Sequence, residues 1–224
     1  MNVEKFTIAI FKEKLTLLFL VGLFISYSSV AQTTFPSYTT AGTYTWTCPC
    51  GVTSVVVECW GAGGGGGGAA GNQSNAGAGG GGAYARSTVA VTAGSKYIIT
   101  VGQGGSAGLT TPTNGGNGTA SSFILGGVSV ISDYGRGGSK ANGTNVYASP
   151  GAGGTVGGCS GSGSSNQFYT GGNGCPAPGS WNTNGTGGGG GAGNGGAGQD
   201  GTGGATYSNG GSGGIGSAAG GTPA

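Results

Sequence analysis

Hydrophobic and polar residues alternate in short stretches of the first half of the chain. In residues 42–48, Tyr44, Trp46 and Cys48 alternate with three threonines, which is the pattern of a strand with one buried face. Residues 52–60 form a more continuous β-branched run, which predicts a strand that is covered on both faces. Further strands are predicted over residues 84–91, 96–101, 121–125 and 128–131. Since no window has the spacing of an amphipathic helix, the pattern predicts an all-β fold with essentially no α-helix.

Glycine blocks separate and follow these strands. Blocks 61–82 and 102–118 interrupt the β pattern, and a continuous block begins at residue 135. Near the C-terminus glycine recurs at every third position, as in the rows Gly187, Gly190, Gly193, Gly196 and Gly195, Gly198, Gly201, Gly204, the second resuming at Gly210, Gly213 and Gly216. A period of three is that of a polyproline II-type helix, and glycine lets such helices approach closely enough to share backbone hydrogen bonds. We therefore expect ordered polyglycine II helices between the strands and after them, with a flexible linker as the alternative.

The N-terminal residues have the three parts of a secretory signal peptide. Three lysines precede an apolar run at residues 15–25, and Ala31 is the small residue before the expected cleavage site. The alternative is an uncleaved N-terminal anchor, which is disfavoured because the apolar run is too short to span a bilayer comfortably. We expect residues 1–31 to be the signal peptide, 32–134 the β-rich part of a glycine-rich domain, and 135–224 its polyglycine II part. The mature chain is then expected outside the cell or on its outer surface, without a membrane span.

Charged residues are scarce. The 224 residues include seven basic and five acidic side chains, no histidine, and a net charge of +2. Nucleic acids and anionic membranes require clustered lysine and arginine, so neither is expected as a partner. Without histidine, the catalytic Ser-His-Asp and Cys-His arrangements are excluded. Nothing in the sequence indicates that two of Glu58, Asp133 and Asp200 form the carboxylate pair of a glycosidase. We expect a protein that is not an enzyme.

Two glycine motifs offer weak indications of ligand sites. Gly61, Gly63 and Gly66 fit the Gly-x-Gly-x-x-Gly dinucleotide pattern, but no helix is predicted to follow and no acidic residue lies about 20 positions later. Residues 195–203 resemble one copy of a calcium-binding repeat that works only when several copies stack. We therefore expect neither a cofactor nor a metal.

Five cysteines in an exported chain predict disulfide bonds. Cys48 and Cys50 are too close in sequence to pair easily. We expect the disulfides Cys48–Cys59 and Cys159–Cys175, with Cys50–Cys59 as an alternative to the first. The leftover Cys50 could then link two chains into a homo-oligomer.

Aromatic residues in the glycine-rich half are candidates for ligand contact. They are Tyr147, Phe168, Tyr169, Trp181 and Tyr207. Exposed aromatic side chains on loops suit the binding of glycans or protein receptors, and Trp181 follows a loop broken by prolines. The alternative is that these residues form a small hydrophobic plug at the ends of the glycine helices.

Three motifs within residues 35–140 carry a family resemblance. They are "TWTCPCGVTSVVVECWGAGGGGGG", "GGGGAYARSTVAVTAGSKYIITVGQGG" and "NGTASSF". The chain resembles the glycine-rich domain of exported bacterial proteins and phage tail-fibre adhesins, and its skeleton is similar to the extracellular glycine-rich domain of the anaplastic lymphoma kinase receptor. The resemblance implies a β-sandwich-like unit beside polyglycine II helices whose loops bind a receptor, and it implies no catalytic residue.

Together these observations predict an exported, non-enzymatic structural or adhesive surface protein that binds a cell-surface receptor or glycan through its loops. An ice-binding protein of the polyglycine II type is one alternative, because regular glycine rows could present an ordered face. A second alternative is that the chain is the N-terminal part of a larger secreted filament protein.

Overall fold

The computed structural model describes residues 35–70, 74–143, 148–152, 154, 159–160, 166–175 and 187–202, with the backbone alone at 159–160. The predicted signal peptide lies outside these residues. The described residues from Thr39 onward belong to one compact unit. No helix occurs in the described part of the chain, and strands are its regular structure, so the all-β expectation is confirmed.

Ten strands are present in the described residues. They are β1 (Gly42–Thr47), β2 (Ser54–Trp60), β3 (Ala69–Ala70), β4 (Tyr84–Ala90), β5 (Lys96–Val101), β6 (Ser121–Leu125), β7 (Val128–Ser132), β8 (Ala141–Asn142), β9 (Cys159–Ser160) and β10 (Gln167–Tyr169). All six strands predicted from the sequence are among them. The additional strands are only two or three residues long, which is too short for an alternation of side chains to reveal them.

Two antiparallel sheets and one short parallel pair contain these strands. The five-stranded sheet has the order β1-β5-β6-β7-β9, the three-stranded sheet has the order β10-β4-β2, and β3 pairs with β8 in parallel. A tight turn at Gly126 and Gly127 joins β6 to β7. Both glycines have positive φ, 51° and 91°, as the commonest two-residue hairpin turn requires.

The hydrophobic core lies between the two antiparallel sheets. Trp46, Tyr97 and Phe123 supply its aromatic centre from the five-stranded sheet, with Tyr97 and Phe123 stacked at 4.9 Å between ring centroids. From the three-stranded sheet, Val89 and Cys59 face this cluster. The threonine side of β1 is exposed, as its alternation predicted.

Strand β2 differs from its prediction on its outer face. The continuous apolar run predicted burial on both faces, yet Val56 is 54% exposed and Glu58 is exposed as well. The reason is that β2 belongs to a two-layer arrangement in which the five-stranded sheet covers only its inward side chains, such as Val55.

Candidate functional site

Glycine-rich segments lie side by side next to the two sheets, and we call them the glycine bundle. Its described segments are residues 61–68, 77–83, 102–108, 113–119, 133–140, 148–152 with 154, 170–175, 187–192 and 198–201. Backbone amides of one segment donate to backbone carbonyls of its neighbours, for example from Gly64 to Gly80 at 2.9 Å. Hydrogen bonds between different segments, rather than within one segment, therefore satisfy this backbone.

The hydrogen bonds of segment 61–68 repeat every third residue. The amides of Gly61, Gly64 and Gly67 donate to carbonyls of segment 77–83. The amides that follow them, those of Ala62, Gly65 and Gly68, donate to carbonyls of segment 113–119. The third amide of each triplet, that of Gly63 or Gly66, has no acceptor among the described residues. Each residue of a triplet thus faces a different neighbour or the outside.

Segment 77–83 is the most enclosed part of the bundle. All seven residues are buried, and only Ala78 and Ala83 carry a side chain. Hydrogen bonds join this segment to five other bundle segments within the described part of the chain. The segment is therefore surrounded by backbone, with almost no side-chain packing of its own.

The close approach of backbones explains why glycine occupies most bonded positions. A Cβ added at Gly64 would lie 2.1 Å from the carbonyl oxygen of Arg136, and one added at Gly79 would lie 2.2 Å from the carbonyl oxygen of Gly64. At Gly66 the nearest atom would be 3.9 Å away, and at Gly104 it would be 4.0 Å away. Glycine is thus sterically required at Gly64 and Gly79, whereas a side chain has room at Gly66 and Gly104.

Two asparagines continue the three-residue period with their side chains. The Oδ1 atoms of Asn114 and Asn117 accept hydrogen bonds from the amides of Lys140 and Gly137, each at 2.9 Å. Side-chain carbonyls here take the place of backbone carbonyls. Polar residues can therefore occupy surface positions of the bundle, because their side-chain oxygens accept the hydrogen bonds of neighbouring amides.

A row of aromatic side chains crosses the outer face of the three-stranded sheet. The rings of Trp60 and Tyr84 are 5.3 Å apart between centroids, and those of Tyr84 and Tyr169 stack at 6.1 Å. The register of the sheet places the three residues opposite one another on β2, β4 and β10. Tyr84 is fully buried, whereas Trp60 and Tyr169 are half-buried.

A polar row runs beside the aromatic row on the same face. Glu58, Arg86 and Gln167 are paired across the three strands, two residues before or after the aromatic residue of each strand. The Tyr84 hydroxyl donates to Glu58 Oε1 at 2.5 Å, and the Arg86 Nε atom lies 3.8 Å from the same oxygen. We call the two rows together the outer aromatic face.

The environment of Tyr84 keeps its hydroxyl protonated. Burial raises the pKa of Tyr84 above its ordinary range, and the hydrogen bond to Glu58 raises that pKa further. At neutral pH the hydroxyl therefore donates to Glu58 and fixes one carboxylate oxygen of that residue. The other carboxylate oxygen is oriented by the same contact.

The aromatic residues predicted to face a ligand have different positions. Tyr169 lies on the outer aromatic face, but Phe168 points to the opposite side and packs against the core. Tyr147, Trp181 and Tyr207 lie outside the described residues. The prediction for these three stays open.

Trp60 and Tyr84 were not among the aromatic residues predicted to face a ligand, which all belong to the glycine-rich half of the chain. A signal was present. Glu58 and Trp60 on one strand, and Arg86 and Tyr84 on the next, have the i, i+2 spacing that places side chains on one face of a sheet.

The structure does not contain the predicted Cys48–Cys59 disulfide. Cys48 is a free, buried thiol that donates to the carbonyls of Pro49 and Val52 at 3.6 and 3.5 Å. The thiol of Cys59 instead donates to the carbonyl of Val130 at 3.6 Å. Cys48 is hydrogen-bonded to Gly94 and Ser95 in the turn after β4, near the start of β2, because Ala90 of β4 pairs with Ser54. Cys59 lies about 17 Å along β2 from that start, so the two sulfurs belong to different ends of the sandwich.

The alternative disulfide Cys50–Cys59 is absent as well, and the predictions for the other cysteines stay open. The predicted partner of Cys175, Cys159, has no described side chain. Cys50 is a free, exposed thiol, and its linkage of two chains stays a prediction. Burial raises the pKa of the Cys48 thiol, with a smaller contribution from Cys50, so Cys48 has little thiolate character near neutral pH.

The described part of the chain contains neither a metal-binding cluster nor a membrane-spanning helix. No three histidine, cysteine, aspartate or glutamate side chains of that part lie close enough together to hold a metal ion. Among the same residues there is no helix of the length and apolarity needed to cross a bilayer.

Comparison with known proteins identifies the family. A sequence comparison with curated proteins gave no match. A family model described as a glycine-rich domain matches residues 39–224, which include both antiparallel sheets and the whole glycine bundle. Since this match covers most of the chain, the protein belongs to the glycine-rich domain family.

Proposed function

We propose that this chain is an exported, non-enzymatic structural and adhesive protein of the cell surface. In this proposal the glycine bundle consists of polyglycine II helices and forms a rigid platform. The platform carries the surfaces and loops that bind a cell-surface receptor or glycan. The observation that carries the proposal is the enclosure of segment 77–83 by hydrogen-bonded backbone on all its described sides.

The hydrogen-bond pattern supports the polyglycine II assignment. A polyproline II-type helix has three residues per turn and no internal hydrogen bonds, so its amides must bond outward with a period of three. The amides of segment 61–68 have this period, as do the amides of Gly77, Gly80 and Ala83, which donate to Ser139, Arg136 and Asp133. Neighbouring segments run both parallel and antiparallel, which such helices can accommodate because their bonds radiate outward.

A platform of this kind suits binding rather than catalysis. Segments bonded to several neighbours resist local opening, because each opening breaks hydrogen bonds to more than one partner. The bundle presents few side chains, so ligand contacts are left to surface aromatic and polar residues at its margins. The outer aromatic face is the group of this type in the described residues.

The test is adhesion of the full chain after secretion by its host cell. Secreted protein is applied to immobilised cells and to a glycan array, and bound protein is measured. We expect saturable binding, together with release of a chain shortened by the predicted signal peptide. The control is the Gly64→Ala variant, whose bundle is expected to be disrupted. Absence of binding to every cell and glycan, with ice recrystallisation inhibited by the same protein, would favour the ice-binding alternative instead.

A further inference from the structure

We propose that the outer aromatic face is a binding subsite for neutral polysaccharide, with separate pyranose rings of the ligand stacking on Trp60 and Tyr169. This inference deepens the adhesive function proposed above and rests on it. It assigns the contact to a sheet face rather than to loops, and it names the class of ligand.

The aromatic row provides a stacking surface. Tyr84 is fully buried between the other two rings, so it acts as the fixed support of the row. Trp60 and Tyr169 are only half-buried and keep ring surface in solvent. The apolar C–H face of a sugar packs well against such rings, because aromatic side chains combine a large apolar surface with little loss of side-chain entropy.

The polar row provides hydrogen-bond partners at a suitable distance. Residues two apart on one face of a strand are separated by about 7 Å, so Glu58 and Arg86 lie close enough to reach the hydroxyl groups of a ring on the aromatic row. Glu58 accepts hydrogen bonds, Arg86 donates them, and the Gln167 amide does both. Sugar hydroxyls are donors and acceptors at once and can use all three.

An unpaired donor gives independent support for a ligand. The indole N–H of Trp60 is buried, and it has no hydrogen-bond partner in the described part of the chain. An unsatisfied buried donor is costly and calls for an explanation. In the proposed complex the indole ring turns so that this N–H reaches the ligand and donates to a sugar hydroxyl.

The charges of the face favour a neutral ligand. Glu58 and Arg86 form an ion pair of zero net charge, with side chains 33% and 40% exposed. A carboxylate or phosphate on the ligand would meet the Glu58 carboxylate as well as the Arg86 guanidinium, so attraction and repulsion would largely cancel. Uronic acid polymers and nucleic acid strands therefore gain no electrostatic advantage here.

The experiment is a titration of the full chain, labelled with ¹⁵N, with cellohexaose, mannohexaose and polygalacturonate. The Trp60 indole resonance reports on the face, and the indole resonance of Trp46, which lies in the core, is the internal control. We expect a neutral hexasaccharide to shift the Trp60 signal and to leave the Trp46 signal unchanged. The Tyr169→Ala variant should bind about tenfold more weakly.

A second variant separates loss of contact from loss of fold. Glu58→Gln preserves the shape of the side chain and should also weaken binding, whereas Leu109→Ala, at a residue 63% exposed and outside the face, should not.

Neutral saccharide binding that is unchanged in Tyr169→Ala and Glu58→Gln would overturn the assignment of the site while leaving adhesion intact. Tighter binding of polygalacturonate would overturn the neutral class. Adhesion to cells without binding of any saccharide would point to a protein receptor and overturn the inference alone, whereas loss of all adhesion would overturn the proposed function too.

Discussion

Gly64→Ala is expected to lower the free energy of unfolding by about 3 kcal/mol, or to prevent folding. The new Cβ would lie 2.1 Å from the Arg136 carbonyl oxygen and 2.8 Å from the Gly137 amide nitrogen. Both obstructing atoms belong to backbone, so no side-chain rotation can relieve the clash. Relief requires the segments to move apart, and that movement breaks the hydrogen bond from Gly64 to Gly80 and those of its neighbours.

Gly66→Ala is the matched control in the same segment. Its Cβ would have no atom closer than 3.9 Å, and its φ is not in the left-handed region. We expect no loss of stability, and a gain of up to about 1 kcal/mol from the reduced entropy of the unfolded chain. Urea unfolding of both variants measures the difference. Similar loss in both would show that the close backbone approach is not what requires glycine.

Phe123→Ala is expected to lower the free energy of unfolding by about 3–5 kcal/mol. The Phe123 side chain is 5% exposed and stacks on Tyr97 at 4.9 Å, with Trp46 at 6.1 Å. Removing the ring leaves a cavity in the centre of the aromatic cluster. The neighbouring rings are held by two paired strands and can fill that cavity only in part.

Ile124→Ala is the control on the next residue of the same strand. Ile124 is 42% exposed on the outer face, so we expect a loss of less than about 1 kcal/mol. Thermal unfolding followed by tryptophan fluorescence compares the two variants, since Trp46 lies beside Phe123. A loss at Ile124 as large as that at Phe123 would mean that the core does not lie between the two sheets.

The strands could be predicted because their information is local. Alternation in residues 42–48 determined which side of β1 is buried, and the Gly126–Gly127 dipeptide marked a turn that needs positive φ. Burial of a face and the geometry of a turn depend on residues within a few positions of one another. These features are therefore visible in a single sequence.

The arrangement of the glycine bundle could not be predicted in the same way. Glycine recurs with a period of three near residues 187–216 of the sequence, yet the structure has hydrogen bonds of the same period in segment 61–68. Glycine has no side chain that could distinguish one neighbour from another. The choice of neighbours, and of parallel or antiparallel direction, depends on contacts between residues far apart in sequence.

The candidate site was only partly predictable for a related reason. Tyr169 was identified as an aromatic residue of the glycine-rich half, but its partner Tyr84 comes from a strand 85 positions earlier. The predicted Cys48–Cys59 disulfide is absent because the two residues lie at different ends of the sandwich, which their spacing in the sequence does not show. Both outcomes depend on how distant strands are brought together.

Residue-resolved amide hydrogen exchange of segment 61–68 by NMR tests the three-residue bonding of the glycine bundle most directly. The account predicts that the amides of Gly64, Gly65 and Gly67 exchange about a thousandfold or more slowly than an unfolded chain, while those of Gly63 and Gly66 exchange much faster. Fast exchange at all five amides, or protection without this triplet pattern, would contradict the account.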